Sequence, residues 1–211
     1  MTPPGVAGGR FDGTITGVGT ASGTRVVLGA WTDTPFGPVT DVMIERRDGH
    51  RVLVAPSAEL GRFIADTYGF DEVRVEPVSL ACDGALWTLT ATTVRLRILF
   101  GGRTGLGRLL RLVPRPLARA RWWARLLDPV AARVRPGVHL IGTAGNGREE
   151  RYCALDEHRV TGARVVLDGV DQGRLSAVDP PVRFGFGSTP TRPSRVRVTS
   201  VVGAATAPRP G

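Results

Sequence analysis

No lysine occurs anywhere in this chain of 211 residues, so all 28 of its lysine-or-arginine positions are arginine. A Schiff-base amine, a phosphate-gripping P-loop lysine and a lysine general base each need an ammonium whose pKa falls on burial, whereas guanidinium stays protonated. Those chemistries are excluded. Cysteine is nearly as scarce. Cys82 and Cys153 lie far apart with no C-x-x-C spacing, which indicates neither a zinc site nor a disulfide framework and makes a reducing cytoplasm the expected compartment. No apolar run reaches the ~18 residues of a membrane span, because arginine interrupts every leucine-rich stretch. Residues Met1 to Gly13 lack the apolar core of a secretory signal. Acid is missing from one region: between Gly101 and Gly137 nine arginines face the single acid Asp128, which places most of the net charge of +9 there. Lysine codons are AT-rich, so the composition also points to a GC-rich, bacterial genome.

What is present suits a single β-rich domain, and 42% hydrophobic content is enough for one core. Asp48-Gly49, Asp83-Gly84, Asn146-Gly147 and Asp168-Gly169 each separate stretches of strand character, and such pairs favour type I′ hairpins. Strands are predicted at Val39 to Arg46, His50 to Ala55, Glu72 to Cys82, Ala85 to Phe100, Thr24 to Trp31, Arg148 to Asp156 and Arg159 to Leu167. Alternation is clean at Val94, Leu96, Ile98 and Phe100, at Val182, Phe184 and Phe186, and at Val196 and Val198, so these strands bury one face.

One ordinary helix is predicted where Ser57 caps a stripe of Leu60, Phe63, Ile64 and Thr67 that Gly69 ends. The Arg-rich insert, 103–135, reads as a short helix from Gly105 to Val113, a break at Pro114-Arg115-Pro116, and a longer helix to Val134 kinked at Asp128-Pro129. Along the longer helix Leu117, Ala120, Ala124, Leu127, Ala131 and Val134 share one face beside Trp123, while Arg119, Arg121, Arg125, Arg133 and Trp122 project elsewhere. The resulting organisation is a disordered N-terminus at 1–9, a single domain at 10–202, and a disordered small-residue tail at 203–211.

Several motifs read as structure rather than chemistry. Gly17-Val18-Gly19 has no strand before it or helix after it, so it reads as a turn and not a dinucleotide loop. Gly142 to Gly147 resembles a phosphate cradle, yet strand follows it, which favours a wide hairpin. Ser188 lacks the second glycine of a nucleophile elbow. His50, His139 and His158 have no metal-ligand spacing, and Cys153 with His158 forms a thiol and base only if folding joins them. Asp41 and Glu45 are more informative, since they share one face of a predicted strand, where a buried carboxylate has its pKa raised for acid–base work.

Two stretches carry a family likeness. Gly37-Pro38-Val39-Thr40-Asp41 resembles the Gly-Pro-Tyr-Thr-Glu strand entry of the acetoacetate decarboxylase-like superfamily, and Gly61-Arg62-Phe63-Ile64 resembles its Gly-Arg-Glu-Ile helix, in the same order and spacing. The resemblance covers residues 24–100. It implies a β-cone or barrel around a pocket, with Asp41 in place of the family carboxylate and Arg62 in place of the helix arginine. The family's lysine pair is replaced here by Tyr68-Gly69-Phe70-Asp71-Glu72, so decarboxylation through a Schiff base is excluded while the pocket can persist.

The expected fold is therefore α+β, a predominantly antiparallel β barrel or cone with one short helix and a basic helical insert. The expected function is to hold a small organic acid, with Arg62 pairing its carboxylate and Asp41 or Glu45 orienting it or moving a proton. No cofactor or metal is expected, and the sequence does not decide whether the pocket is catalytic. The alternative is a non-catalytic protein whose Arg119, Arg121, Arg125 and Trp122 dock on nucleic acid or an anionic membrane.

Overall fold

Alternating apolar and polar residues lay most of the chain into strands, in a computed structural model that describes residues 8–134, 138–143, 147, 149–185 and 187–203. Strands β1 (Gly9–Thr20), β2 (Arg25–Asp33), β3 (Val39–Glu45) and β4 (Arg51–Ala55) form an antiparallel meander. Helix α1 (Ala58–Thr67) then crosses to β5 (Glu72–Val75), which pairs with β4 in parallel. A second meander, β6 (Ser79–Asp83), β7 (Leu86–Thr90) and β8 (Val94–Arg103), leads into the arginine-rich helices α2 (Gly105–Leu112), α3 (Arg115–Ala118) and α4 (Arg121–Val134). The chain closes with β9 (Ile141–Thr143), β10 (Glu149–Leu167), β11 (Val170–Asp171), β12 (Leu175–Ser176) and β13 (Ser194–Val202).

All thirteen strands belong to one sheet, whose main path runs β5-β4-β3-β2-β1-β13-β10-β8-β7-β6. The sheet curls into a half-barrel, and its path ends at β5 and β6 instead of joining them. The even residues of β2 and β3, among them Val26, Leu28, Val42 and Ile44, pack with Val94, Leu96, Ile98 and Phe100 of β8 and with Val165 and Leu167 of β10. This core is filled. No helix among the described residues is long and apolar enough to cross a membrane.

The turns follow their chemistry in detail. At Asp168-Gly169 both residues take positive φ, 51° and 80°, as a type I′ hairpin requires. At Asp48-Gly49 and Asp83-Gly84 only the glycine does so. The first of these is a type I turn with a bulge, because Gly49 N–H donates to Arg46 O and Arg46 N–H to His50 O. Helix α1 starts where Ser57 Oγ accepts from Leu60 N–H at 3.2 Å, and it buries Leu60, Phe63, Ile64 and Thr67.

Several expectations change. Gly17-Val18-Gly19 lies inside β1, because Thr189 and the backbone of Ala177 press so close to Gly17 and Gly19 that any Cβ would collide with them. Gly9 opens that strand opposite Val202. The two strands read between residues 148 and 167 are one, β10, whose register shifts near Ala154, Val160 and Gly162 blur the alternation. The stretch from Glu72 to Cys82 splits into β5 and β6 on either side of Pro77. Val182 and Phe184 are not in a strand; they belong to a buried loop cluster with Val27 and Val178. Expectations for residues 1–7 and 204–211, Arg135, Asn146, Arg148, Phe186 and the Val134 side chain fall outside the described residues.

Candidate active site

Because strand side chains alternate, the face of β2 and β3 that is turned away from the filled core carries Val27, Gly29 and Trp31 beside Asp41 and Met43. Helix α1, β10 and β13 wall this face, and the apolar sides of α2 and α4 roof it. Between them lies a cavity of about 710 Å³. Leu106 and Leu110 of α2 and Ala124, Leu127 and Ala131 of α4 line the roof, so the amphipathic pattern of the insert has a cavity beneath it. The hollow therefore sits under helices, on the opposite side of β2 and β3 from the packed core.

Asp41 is 2% exposed in this wall, and Trp31 Nε1 donates to its Oδ1 at 2.8 Å. Trp31 is itself held by an edge-on contact with Phe11, at 5.8 Å between ring centroids. Burial pushes the Asp41 carboxyl up from 3.8 to about 7, with the Trp31 hydrogen bond working in the opposite direction. No arginine lines the cavity among the described residues.

A second polar group faces the same space. Tyr68, which follows α1, donates to Glu150 Oε1 at 2.5 Å, and the Tyr68 and Tyr152 hydroxyls are 2.8 Å apart. The two phenols and the Glu150 carboxyl thus form a relay, in which either hydroxyl can donate within the tyrosine pair. Ser200 Oγ also donates to Glu150 Oε1, at 3.1 Å, while the buried Oε2 has no hydrogen-bond partner. Burial raises the Glu150 carboxyl above its ordinary range, opposed by the Tyr68, Tyr152 and Ser200 hydroxyls. Burial likewise raises both phenols, and the charge of Asp41 adds to the rise at Tyr152.

The residues expected from the sequence divide. Asp41 lines the cavity. Glu45 shares its side of β3 and is fully buried, but it accepts from Arg25 at 3.1 Å and from Arg183 at 3.0 Å and is not a lining residue. Arg62 is exposed, because a stripe at 60, 63, 64 and 67 turns position 62 nearly opposite. Arg119 pairs with Asp12 and Arg121 with Glu149, while Arg125 and Trp122 are exposed on α4. Cys153 lines the cavity, whereas His158 bonds Gly101 O at 3.3 Å and lies 3.7 Å from Asp156, so folding does not join the two. No group of three His, Cys, Asp or Glu among the described residues could hold a metal.

Sequence reasoning missed Trp31, Tyr68, Glu150 and Tyr152. A signal was available: the chain has only two tyrosines, and both stand in this relay. Glu150 and Tyr152 also lie two apart on one strand, so a buried face there had to carry both.

No family model matches the chain, and no curated protein matches it. Among solved structures it is similar to acetoacetate decarboxylase from Legionella pneumophila subsp. pneumophila str. Philadelphia 1, with a TM-score of 0.43 and 8% identity over 94% of this chain and 84% of that one. It is also similar to a structure described as structural studies of acetoacetate decarboxylase, with a TM-score of 0.40 and 11% identity over 94% of this chain and 85% of that one. Both carry the family name that the Gly37–Asp41 and Gly61–Ile64 motifs resemble; likeness of this size concerns the fold alone, and the chemistry of the cavity stands on its own residues.

Proposed function

We propose that the chain binds a largely apolar small molecule by one uncharged, oxygen-bearing head group, seated between Asp41 and the Tyr152–Tyr68–Glu150 relay. The observation that carries this reading is the wall itself: an apolar hollow of about 710 Å³ in which Asp41 and Glu150 are buried and no arginine is among the described lining residues. That volume suits a drug-sized ligand. An anionic carboxylate would meet Asp41 and Glu150 with no guanidinium beside them among the described lining residues and lose its hydration, and the lining histidine, His139, already lies 3.6 Å from Asp128. The small organic acid expected from the sequence thus enters as its neutral form, and a ketone, lactone or alcohol satisfies the same groups more fully. Near neutral pH both forms of Asp41 are populated, so it can donate to a carbonyl oxygen or accept from a hydroxyl. Any turnover proceeds without a lysine Schiff base, since the chain has no lysine.

Thermal shift against matched medium-chain ketones, alcohols and carboxylates, at pH 6 and pH 8, tests this. Ketones and alcohols should stabilise the protein more as their chains lengthen, and carboxylates only at the lower pH. Asp41→Asn and Tyr152→Phe should each weaken ketone binding by about tenfold, the worth of one hydrogen bond of ~1.4 kcal/mol. Preferential binding of short carboxylates at the higher pH would overturn the proposal.

A further inference from the structure

The roof of the cavity has an outer side that its inner side does not explain. Leu109, Leu112, Trp122, Leu126 and Val130 are 60%, 78%, 60%, 59% and 54% exposed, and all lie on α2 and α4. Large apolar side chains on a solvated helix usually face a partner. Trp122, Leu126 and Val130 recur every four residues, which makes them a continuous stripe along α4. Arginine surrounds them: Arg108, Arg111, Arg115, Arg125 and Arg133 are exposed, and none has an acid within ion-pair distance among the described residues. Leu109 and Val130 have a double role, because each lines the cavity and is more than half exposed. Part of the cavity's lining therefore reaches this apolar and cationic surface.

We infer that α2 and α4 seat the protein, mouth first, on an anionic lipid surface, so that the cavity opens directly onto hydrocarbon. An amphipathic helix at such a surface places apolar side chains below the headgroups and guanidinium groups among the phosphates, with tryptophan at the boundary. Nucleic acid would use the arginines but set five apolar side chains against a phosphate backbone. A lipid surface satisfies both sets at once, and it presents apolar molecules where the mouth can take them up. The docking argument rests on the exposed surface; its link to ligand entry rests on the proposed binding of an apolar molecule.

Flotation of the full chain with phosphatidylcholine vesicles, with and without about 30% phosphatidylserine, tests the docking. The protein should float with the anionic vesicles and only weakly with the neutral ones. Each of Arg111→Ser and Arg125→Ser should reduce partitioning about fivefold. Leu112→Ser and Leu126→Ser should reduce it as well, and brominated acyl chains should quench tryptophan emission in the parent more than in Trp122→Ser. These positions are exposed, so unchanged melting temperatures will separate lost docking from lost folding. Equal flotation with neutral vesicles, indifference to the leucine variants, tighter binding to duplex DNA than to vesicles, or self-association through this face would overturn the inference. Ketone binding measured without vesicles reads the cavity separately, so failure of either proposal is recognisable alone.

Discussion

Gly29 stands opposite Asp41 in the β2–β3 register, and a Cβ at position 29 would fall 2.5 Å from Asp41 Oδ1 and 2.6 Å from Trp31 Nε1. The Trp31–Asp41 hydrogen bond occupies the space that any other side chain would need. Gly29→Ala should therefore separate the two partners. Leaving the indole N–H buried without its acceptor costs about 1–3 kcal/mol. Urea unfolding together with a shift in tryptophan emission checks this, and an alanine variant with parental stability and spectrum would refute it.

Stability should fall as pH rises through the range in which Asp41 titrates. Its folded value of about 7 lies above the ordinary 3.8, so the native state holds the proton more tightly than the unfolded chain does. The sign is the reverse of a salt-bridged acid: there is no penalty below the ordinary value, a growing one between the two, and the full penalty above the folded one. The full penalty is at most about 4 kcal/mol. Glu150 shifts in the same direction and adds to the slope. Asp41→Asn should be more stable than the parent at pH 8 and should flatten the pH profile; denaturant midpoints at pH 5 and pH 8 decide it, and an unchanged slope would count against the buried acid.

The Glu45 ion pairs should be sharply unequal. The Arg25 and Glu45 side chains are 4% and 0% exposed, whereas that of Arg183 is 71% exposed. Glu45→Gln leaves the Arg25 guanidinium buried without its acid and should cost about 3–5 kcal/mol. Arg183→Ala keeps the backbone N–H that donates to Glu45 Oε2 at 2.8 Å and should cost under about 1 kcal/mol. Guanidinium unfolding of both variants measures the difference, and equal losses would show that the Arg25 pair carries no special weight.

Local features of the fold could be read from the chain because local physics sets them. The Ser57 cap, the α1 stripe, the hairpins at three glycine pairs and the two sides of the arginine helix all depend on neighbours a few residues away. β1 escaped notice because its glycines carry little strand propensity, and what holds them in register is tertiary. Asp41 was recognisable as an acid on an apolar strand face. Its companions were not, since Tyr68 and Glu150 are 82 positions apart and meet only when α1 docks beside β10. Arg62 is the opposite case: the stripe at 60, 63, 64 and 67 is local and already turns position 62 outward, whatever the four-residue motif suggests.

Every residue that closes the cavity from above on α2, α3 and α4 comes from one unbroken stretch, 105–134, while the lining acids Asp41, Glu150 and Glu157 reside on strands. Door and lock are separate pieces of the chain. Substitutions in the stretch can reshape the roof or retune what it rests against without touching Asp41, Tyr68, Glu150 or Tyr152, and exchanging that stretch alone is a route to altered selectivity with the proton-handling machinery left in place.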